Sequence, residues 1–546
     1  MTIPLILGER PLTLADLVAV ARDGRPVRLG DPARAAMAPS LQWVEALSAR
    51  MRAGEPTPPI YSINTGFGSL AGREAFRSVD DAVDLSRRLI VSNASGVGRP
   101  LDEDVVRAAM LIRAASLARG HSAVRPVLVQ TLLDMLERGV TPVVPEFGSL
   151  GASGDLIPLA HLSLVMTRPA GDEDPEIDSG EASIGGQRCS GLQAMRQAGI
   201  ERLVLGPKEG LAMINGTSFS TAQVALALAD AENLLDTAEI TAAMSIEALA
   251  GFGDAFIPHI HQARGHAGQI RVAARIRSLL SGSQLVDGDV DRDPVRQPPQ
   301  DAYSLRCTPQ VLGAVRDTLG FVRGIVDTEI NAATDNPLVF PDLPASRTLK
   351  AVSGGNFHAE YLAFGADFLG IAVTEIGSLA ERRLFRLDDG SLNRGLPDML
   401  VASEQVGMDC GFMLPQYLAA ALVSDCKTLA HPDSVDSIPT CASQEDHVSM
   451  AHNAGRHARQ IVANIEFVIG AELLMAAQAL ELRLARLGQG PQALAPATRR
   501  VLDMLRSSRS DDGRPIDHIR RDVLMYPRVR AARELVHGGA VVRAAG

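Results

Sequence analysis

Four stretches constrain this chain more than any other feature. Residues 221–250, 311–333, 360–387 and 455–487 are rich in alanine and leucine, and the first holds neither glycine nor proline. Read as helices they run roughly 23–33 residues each, against a usual mean of about 10–14. Apolar helices of that length pack along one another and describe an elongated bundle. Left in a monomer they would leave apolar surface uncovered, so a symmetric oligomer is expected. The expected fold class is mainly α, a long-helix bundle with a mixed N-terminal region. Three regions are expected: an N-terminal region over 1–205, the bundle over 206–490 and a helical tail over 491–546.

Composition narrows the function classes. The 546 residues are 46% hydrophobic, enough for a large core. Only 4% are aromatic, with Trp43 the single tryptophan, which suits close helix packing better than a β-sandwich. Sixty-four acids against 53 bases give a net charge of −11, without the basic face of a dedicated nucleic-acid binder. No uninterrupted apolar run reaches about 18 residues, so no membrane-spanning helix is expected. The start has no basic region before Gly8-Glu9-Arg10, so no secretory signal is expected either. Five cysteines without a C-x-x-C pair read as buried free thiols of a reducing cytosol.

Apolar residues at helical spacing mark 12–22 and 105–117 as short helices. Residues 141–154 carry Pro142, Pro145, Gly148, Gly151 and Gly154 and read as a loop, with Asp155 as the cap of the helix that follows. The Gly- and Ser-rich stretch 170–202 reads as a surface excursion with a small hairpin. The alternating aspartates of 287–300 lack the mid-loop glycine and terminal glutamate of a calcium loop. His161, His358 and His447 form no His-x-x-x-His or Glu-x-x-His pair on one helix face, so supporting roles and no metal are expected. His259 and His261 read as structural or as interface residues.

The segment Gly148-Ser149-Leu150-Gly151-Ala152-Ser153-Gly154-Asp155 carries the chemistry. Ala-Ser-Gly alone is a common tripeptide, usually a turn before a helix. It also has an unusual capability. The Gly154 nitrogen, unhindered by a Cβ, can attack the Ala152 carbonyl carbon. Loss of water closes a five-membered imidazolone, and loss of the Ser153 hydroxyl leaves an exocyclic methylidene. The chain then carries an electrophile made from itself, and flanking glycines permit the compact backbone this needs.

That segment resembles the signature of the aromatic amino acid ammonia-lyases. Five further motifs extend the resemblance in the family's order: Tyr61-Ser62-Ile63-Asn64-Thr65-Gly66-Phe67-Gly68, Met213-Ile214-Asn215-Gly216-Thr217, Gln300-Asp301-Ala302-Tyr303-Ser304-Leu305-Arg306-Cys307, Ser353-Gly354-Gly355-Asn356-Phe357-His358-Ala359-Glu360 and Ser443-Gln444-Glu445-Asp446-His447-Val448-Ser449-Met450. Together they cover roughly residues 55–460, and the length suits the histidine-lyase branch.

The resemblance implies the ammonia-lyase/fumarase-like helical fold and a homotetramer in the cytoplasm, with each site shared between chains. It implies that Ala152, Ser153 and Gly154 form 4-methylidene-imidazol-5-one (MIO), with no metal required. Tyr61 would take the β-proton, and an ordinary tyrosine pKa near 10 means that positive potential or hydrogen bonds must activate it. Arg306 would hold the substrate carboxylate in a bidentate fork. Asn215 would bond the substrate or the MIO oxygen. Tyr303 and Gln300 would line the MIO, and Phe357 would wall the ring pocket. Glu445 stands where the phenylalanine and tyrosine branches typically carry glutamine, and a carboxylate there suits an imidazole N–H. Asn93 stands where histidine and tyrosine lyases generally carry histidine; it keeps donor and acceptor groups but cannot carry charge. Met413 stands near a lysine used by a related lyase acting on a thiolated betaine of histidine, and so favours a free α-amino acid. The expected activity is elimination of ammonia from an aromatic L-amino acid, L-histidine first, with urocanate as product. The alternatives are a 2,3-aminomutase and a phenylalanine or tyrosine lyase. A catalytically dead scaffold would show a broken Ala-Ser-Gly or a lost Tyr61, and both are intact.

Overall fold

A computed structural model describes residues 3–72, 78–171, 174–286, 299–405 and 407–546. Most of the aspartate-rich 287–300 stretch lies outside the described residues. Two compact units emerge. The first joins Met1–Leu226, Arg323–Asp367 and Pro432–Arg456; the second joins Ala227–Val322, Phe368–His431 and His457–Gly546. Four of the five unit boundaries fall inside the four long helices, and the fifth follows His431, so neither unit is one continuous piece of sequence.

Those helices are Ser218–Ala248, Thr308–Glu329, Glu360–Asp388 and Ala451–Leu487. The chain is mainly helical, as expected from the four stretches. Thr308–Glu329 ends four residues before the expected limit. Beyond it Asn331 turns its side chain to the backbone of Leu12, accepting its N–H at 2.7 Å and donating to its carbonyl at 3.0 Å. This local side-chain pairing competes with further helix.

In the second unit, three long helices meet around Glu472. Its carboxylate accepts the Thr241 hydroxyl at 2.7 Å, the Ser245 hydroxyl at 2.9 Å and Arg383 Nη2 at 3.0 Å. Both charged side chains of this pair are fully buried. Glu360–Asp388 and Ala451–Leu487 each hold an 18-residue window apolar enough to cross a membrane, although no run is uninterrupted. Those windows are 67% and 83% buried inside the protein, which makes the helices core elements.

The first unit is mixed. Helices Leu14–Ala21 and Glu103–Ala118 occupy the expected short-helix positions. The 141–154 stretch contributes two short strands as well as a loop. Thr141–Pro142 pairs with Glu181–Ile184, and Pro145–Phe147 pairs with Val97–Pro100, both antiparallel. Glu181–Ile184 and Gln187–Ser190 form the expected hairpin, turned by Gly185 and Gly186 at φ +58° and +76°. All five cysteines are free, but only Cys426 is buried; Cys410 and Cys441 are exposed, contrary to the expectation of buried thiols. His261 is buried and structural, its Nε2 3.1 Å from the Ala255 carbonyl.

Candidate active site

The first unit gathers Tyr61, the Ala152-Ser153-Gly154 turn, Asn215 and Glu445. Gly154 lies backbone against backbone with Gly216, in an isolated bridge. A Cβ at Gly154 would come within 2.2 Å of the Gly216 carbonyl carbon, and φ there is +71°. Only glycine fits both demands. This contact aims two donors at one atom: the Ser153 carbonyl oxygen accepts Asn215 Nδ2 and the Gly216 N–H, each at 3.2 Å. On the other side, the Ser153 hydroxyl donates to Glu445 Oε1 at 2.7 Å. Glu445 Oε2 accepts the Thr440 hydroxyl at 2.8 Å.

Tyr61 lies in a turn stapled by Asn64, whose Oδ1 accepts the Ile60 N–H at 2.6 Å. The Tyr61 hydroxyl accepts the Gly68 N–H at 3.0 Å, and its ring meets Phe67 edge-on at 6.1 Å. Burial pushes the phenol above its ordinary pKa, the Gly68 N–H pulls it down, and Cys441 and Glu445 push it up. The positive potential expected around Tyr61 is therefore not supplied by these neighbours. The Ser69 N–H donates to Cys441 Sγ at 3.3 Å, which ties the tyrosine loop to the 440s loop.

Asp155 takes the N-cap position of helix Leu156–Met166, as expected, but its side chain makes no capping hydrogen bond there. Its carboxylate accepts the Ser220 N–H at 2.8 Å and the Ser220 hydroxyl at 2.7 Å, at the start of Ser218–Ala248, and the Ser149 hydroxyl at 2.8 Å. The carboxylate thus serves a first-turn N–H of the longer helix. Burial opposes the Asp155 charge, but His452 at 3.6 Å and Ser220 outweigh it and hold the pKa below its ordinary value. Sequence reading missed His452 and Ser220, and it also missed Arg113. This buried arginine donates from Nη1 to the Asn215 carbonyl at 2.6 Å. A signal existed for Gly216 alone: Asn-Gly marks a backbone of positive φ, here +138°.

The other expected residues are placed differently. Asn93 ends helix Val79–Asn93 and donates to the Leu89 carbonyl at 2.8 Å. Phe357 is half-buried in the loop before Glu360–Asp388. Gln300, Tyr303, Arg306 and Met413 belong to the second unit. Arg306 donates Nε–H to the Asp301 carbonyl at 2.8 Å, and its guanidinium carbon lies 4.6 Å over the Tyr303 ring. It lines a cavity of about 630 Å3 with Tyr303, Arg386 and Arg394. Tyr303 is 70% exposed. Met413 opens helix Met413–Leu429.

Residues 12–507 match the family described as aromatic amino acid lyase. The chain belongs to this family. It is 45% identical over 533 residues to a histidine ammonia-lyase of Symbiobacterium thermophilum, covering 98% of this chain and 96% of that one. Its fold is similar to the histidine ammonia-lyase of Trypanosoma cruzi, with a TM-score of 0.84, 35% identity and coverage of 100% and 95%. It is also similar to the tyrosine aminomutase of Streptomyces globisporus, with a TM-score of 0.87, 33% identity and coverage of 99% and 98%. As a member it is a carbon–nitrogen lyase, of a family that is in general MIO-dependent.

The Ala152-Ser153-Gly154 turn of this lyase fits that prosthetic group. Ring closure needs a nitrogen without a neighbouring Cβ, and Gly154 packs where no Cβ fits. The Ser153 carbonyl, which the ring would retain, already faces two N–H donors.

Proposed function

We propose that this lyase eliminates ammonia from an aromatic L-amino acid, L-histidine first, and releases a trans-α,β-unsaturated acid, urocanate from histidine. The observation that carries this reading is the setting of Ser153. Two donors face its carbonyl oxygen, and Glu445 takes its hydroxyl. When formed from Ala152, Ser153 and Gly154, MIO supplies an electrophile that turns the substrate amine into a leaving group. Asn215 and Gly216 hold their N–H groups toward the oxygen where negative charge develops, an oxyanion-type role. Formation of the group removes the Ser153 hydroxyl, and so frees Glu445 Oε1 for a ring N–H. That is where an imidazole has an advantage over a phenyl ring.

Tyr61 takes the β-proton. Arg306 fixes the carboxylate, Gln300 and Tyr303 line the reacting group, and Phe357, Asn93 and Met413 line the ring end. Since the electrophile comes from the chain, the elimination calls for no metal. Gln300, Tyr303, Arg306 and Met413 come from neighbouring chains of a homotetramer, a reading supported by the exposure of Tyr303. Such a neighbour also brings the cation that Tyr61 lacks among the described residues. The enzyme works in the cytoplasm.

The test is absorbance in the urocanate and cinnamate bands, with purified enzyme and histidine, phenylalanine and tyrosine. Urocanate from histidine at the highest rate is expected. No product from any of the three, with the assembled oligomer verified, would overturn the reading. A second reading, a 2,3-aminomutase, is favoured by the likeness to the tyrosine aminomutase. Chirally resolved β-amino acid in the products would select it.

A further inference from the structure

His358 and His447 stand 89 residues apart and share no helix, which is why sequence spacing gave no metal pattern. Folding brings them together. The Nδ1 of His447 lies 3.3 Å from the Nε2 of His358, and the rings stack with centroids 5.4 Å apart. Glu360 Oε2 lies 3.9 Å from His358 Nδ1. Ligand atoms of the three residues all fall within 4.8 Å of one another. The same Glu360 oxygen is shielded from solvent and has no hydrogen-bond partner. A shielded carboxylate oxygen without a donor is costly, and a cation relieves that cost.

The spacing of the His447 Nδ1 and His358 Nε2 atoms fits a tetrahedral ion. Zinc holds imidazole nitrogens at about 2.0–2.1 Å, which sets two of them roughly 3.3 Å apart. Two imidazoles and one carboxylate form a donor set suited to zinc, with a fourth position left for water. Glu360 is fixed at the start of the Glu360–Asp388 helix, so one ligand stands on a rigid element. His447 is exposed, which gives an ion a way in.

We propose that His358, Glu360 and His447 bind one divalent transition-metal ion of the zinc type. The ion would tie the segment carrying Phe357 to the segment carrying Glu445, since His358 follows Phe357 directly and His447 follows Glu445 by two residues. It is an accessory site: its ligands are not the groups assigned to the elimination, and it stands whether or not histidine is the substrate.

The test uses the full chain, dialysed against a chelator and then against plain buffer, and titrated calorimetrically with zinc alone. Cobalt is added separately for its visible spectrum. The expected result is one saturable ion per chain, with the intense visible bands of four-coordinate cobalt. Glu360→Gln and His447→Gln should each weaken binding at least tenfold. They should also remove any zinc-dependent rise in Tm, while leaving the metal-free Tm within a few degrees of wild type. A variant that fails to fold is replaced by His358→Gln, read the same way. Absence of one-per-chain binding overturns the proposal. So does binding of equal strength in the variants, which would place the ion elsewhere, or a loss of metal-free Tm alone, which would make the pair a hydrogen-bonded structural contact.

Discussion

Glu445 illustrates how much one residue can state by itself. Its residue type, read in Gln-Glu-Asp-His, points to a hydrogen-bonding ring, and its carboxylate accepts the Ser153 hydroxyl. Glu445→Gln is expected to lower kcat/KM for histidine by roughly 10–100-fold, the worth of a charge-assisted hydrogen bond of about 1.5–3 kcal/mol. Phenylalanine turnover should fall less; an equal fall for both would remove Glu445 from ring recognition. Tyr61 shows the opposite case, where type was legible and environment was not. Burial raises its pKa, so Tyr61, proposed as the base, is deprotonated only toward alkaline pH unless a cation beyond its described neighbours reaches it. For the assembled enzyme kcat/KM should therefore rise with pH, and Tyr61→Phe should cost at least about 100-fold, the low end for a lost general base. A flat profile with an active phenylalanine variant would assign the proton transfer elsewhere.

The long helices were the most legible elements, because uninterrupted apolar periodicity leaves few other structures open. Their ends were less so. Asn331 and Asp155 each bond a distant partner that no local pattern reveals. The three-helix junction at Glu472 was likewise silent, since a buried Arg–Glu pair looks like any surface pair in sequence. Glu472→Gln should cost about 3–5 kcal/mol by leaving Arg383 charged and unpaired. The double variant Arg383→Met, Glu472→Leu should recover much of that in denaturant unfolding; no recovery would mean the pair is not where the cost arises. His161 links Leu156–Met166 to the strand-leading Gly96, whose N–H it accepts at 3.0 Å. Burial lowers the His161 pKa, so the unfolded chain takes up this proton first as pH falls. Its contribution is thus present above the ordinary value of about 6.5 and lost below it. In thermal melts His161→Gln should lose less stability than wild type between about pH 7 and pH 5; an identical slope would exclude this histidine.

At the scale of the whole molecule, the apolar faces left open are informative. Tyr361, Phe364, Phe368 and Ile371 share one face of Glu360–Asp388, and all are exposed, Tyr361 by 73%. Contiguous exposed apolar residues mark an interaction surface, in line with the oligomer proposed from helix length. Tyr361→Glu combined with Ile371→Glu should lower the molar mass seen by light scattering and abolish lyase activity while helicity persists. Activity retained by a verified monomer would contradict the shared site. Sequence spacing could not show which expected site residues fall in which unit, because each unit is assembled from three separate segments. The proposed elimination depends most directly on the electrophile built from Ala152, Ser153 and Gly154, and intact mass reads it without reference to substrate. The purified chain is predicted to be lighter than its sequence mass by two waters, and Ser153→Ala to keep its full sequence mass. An active wild-type chain at full sequence mass would contradict the account.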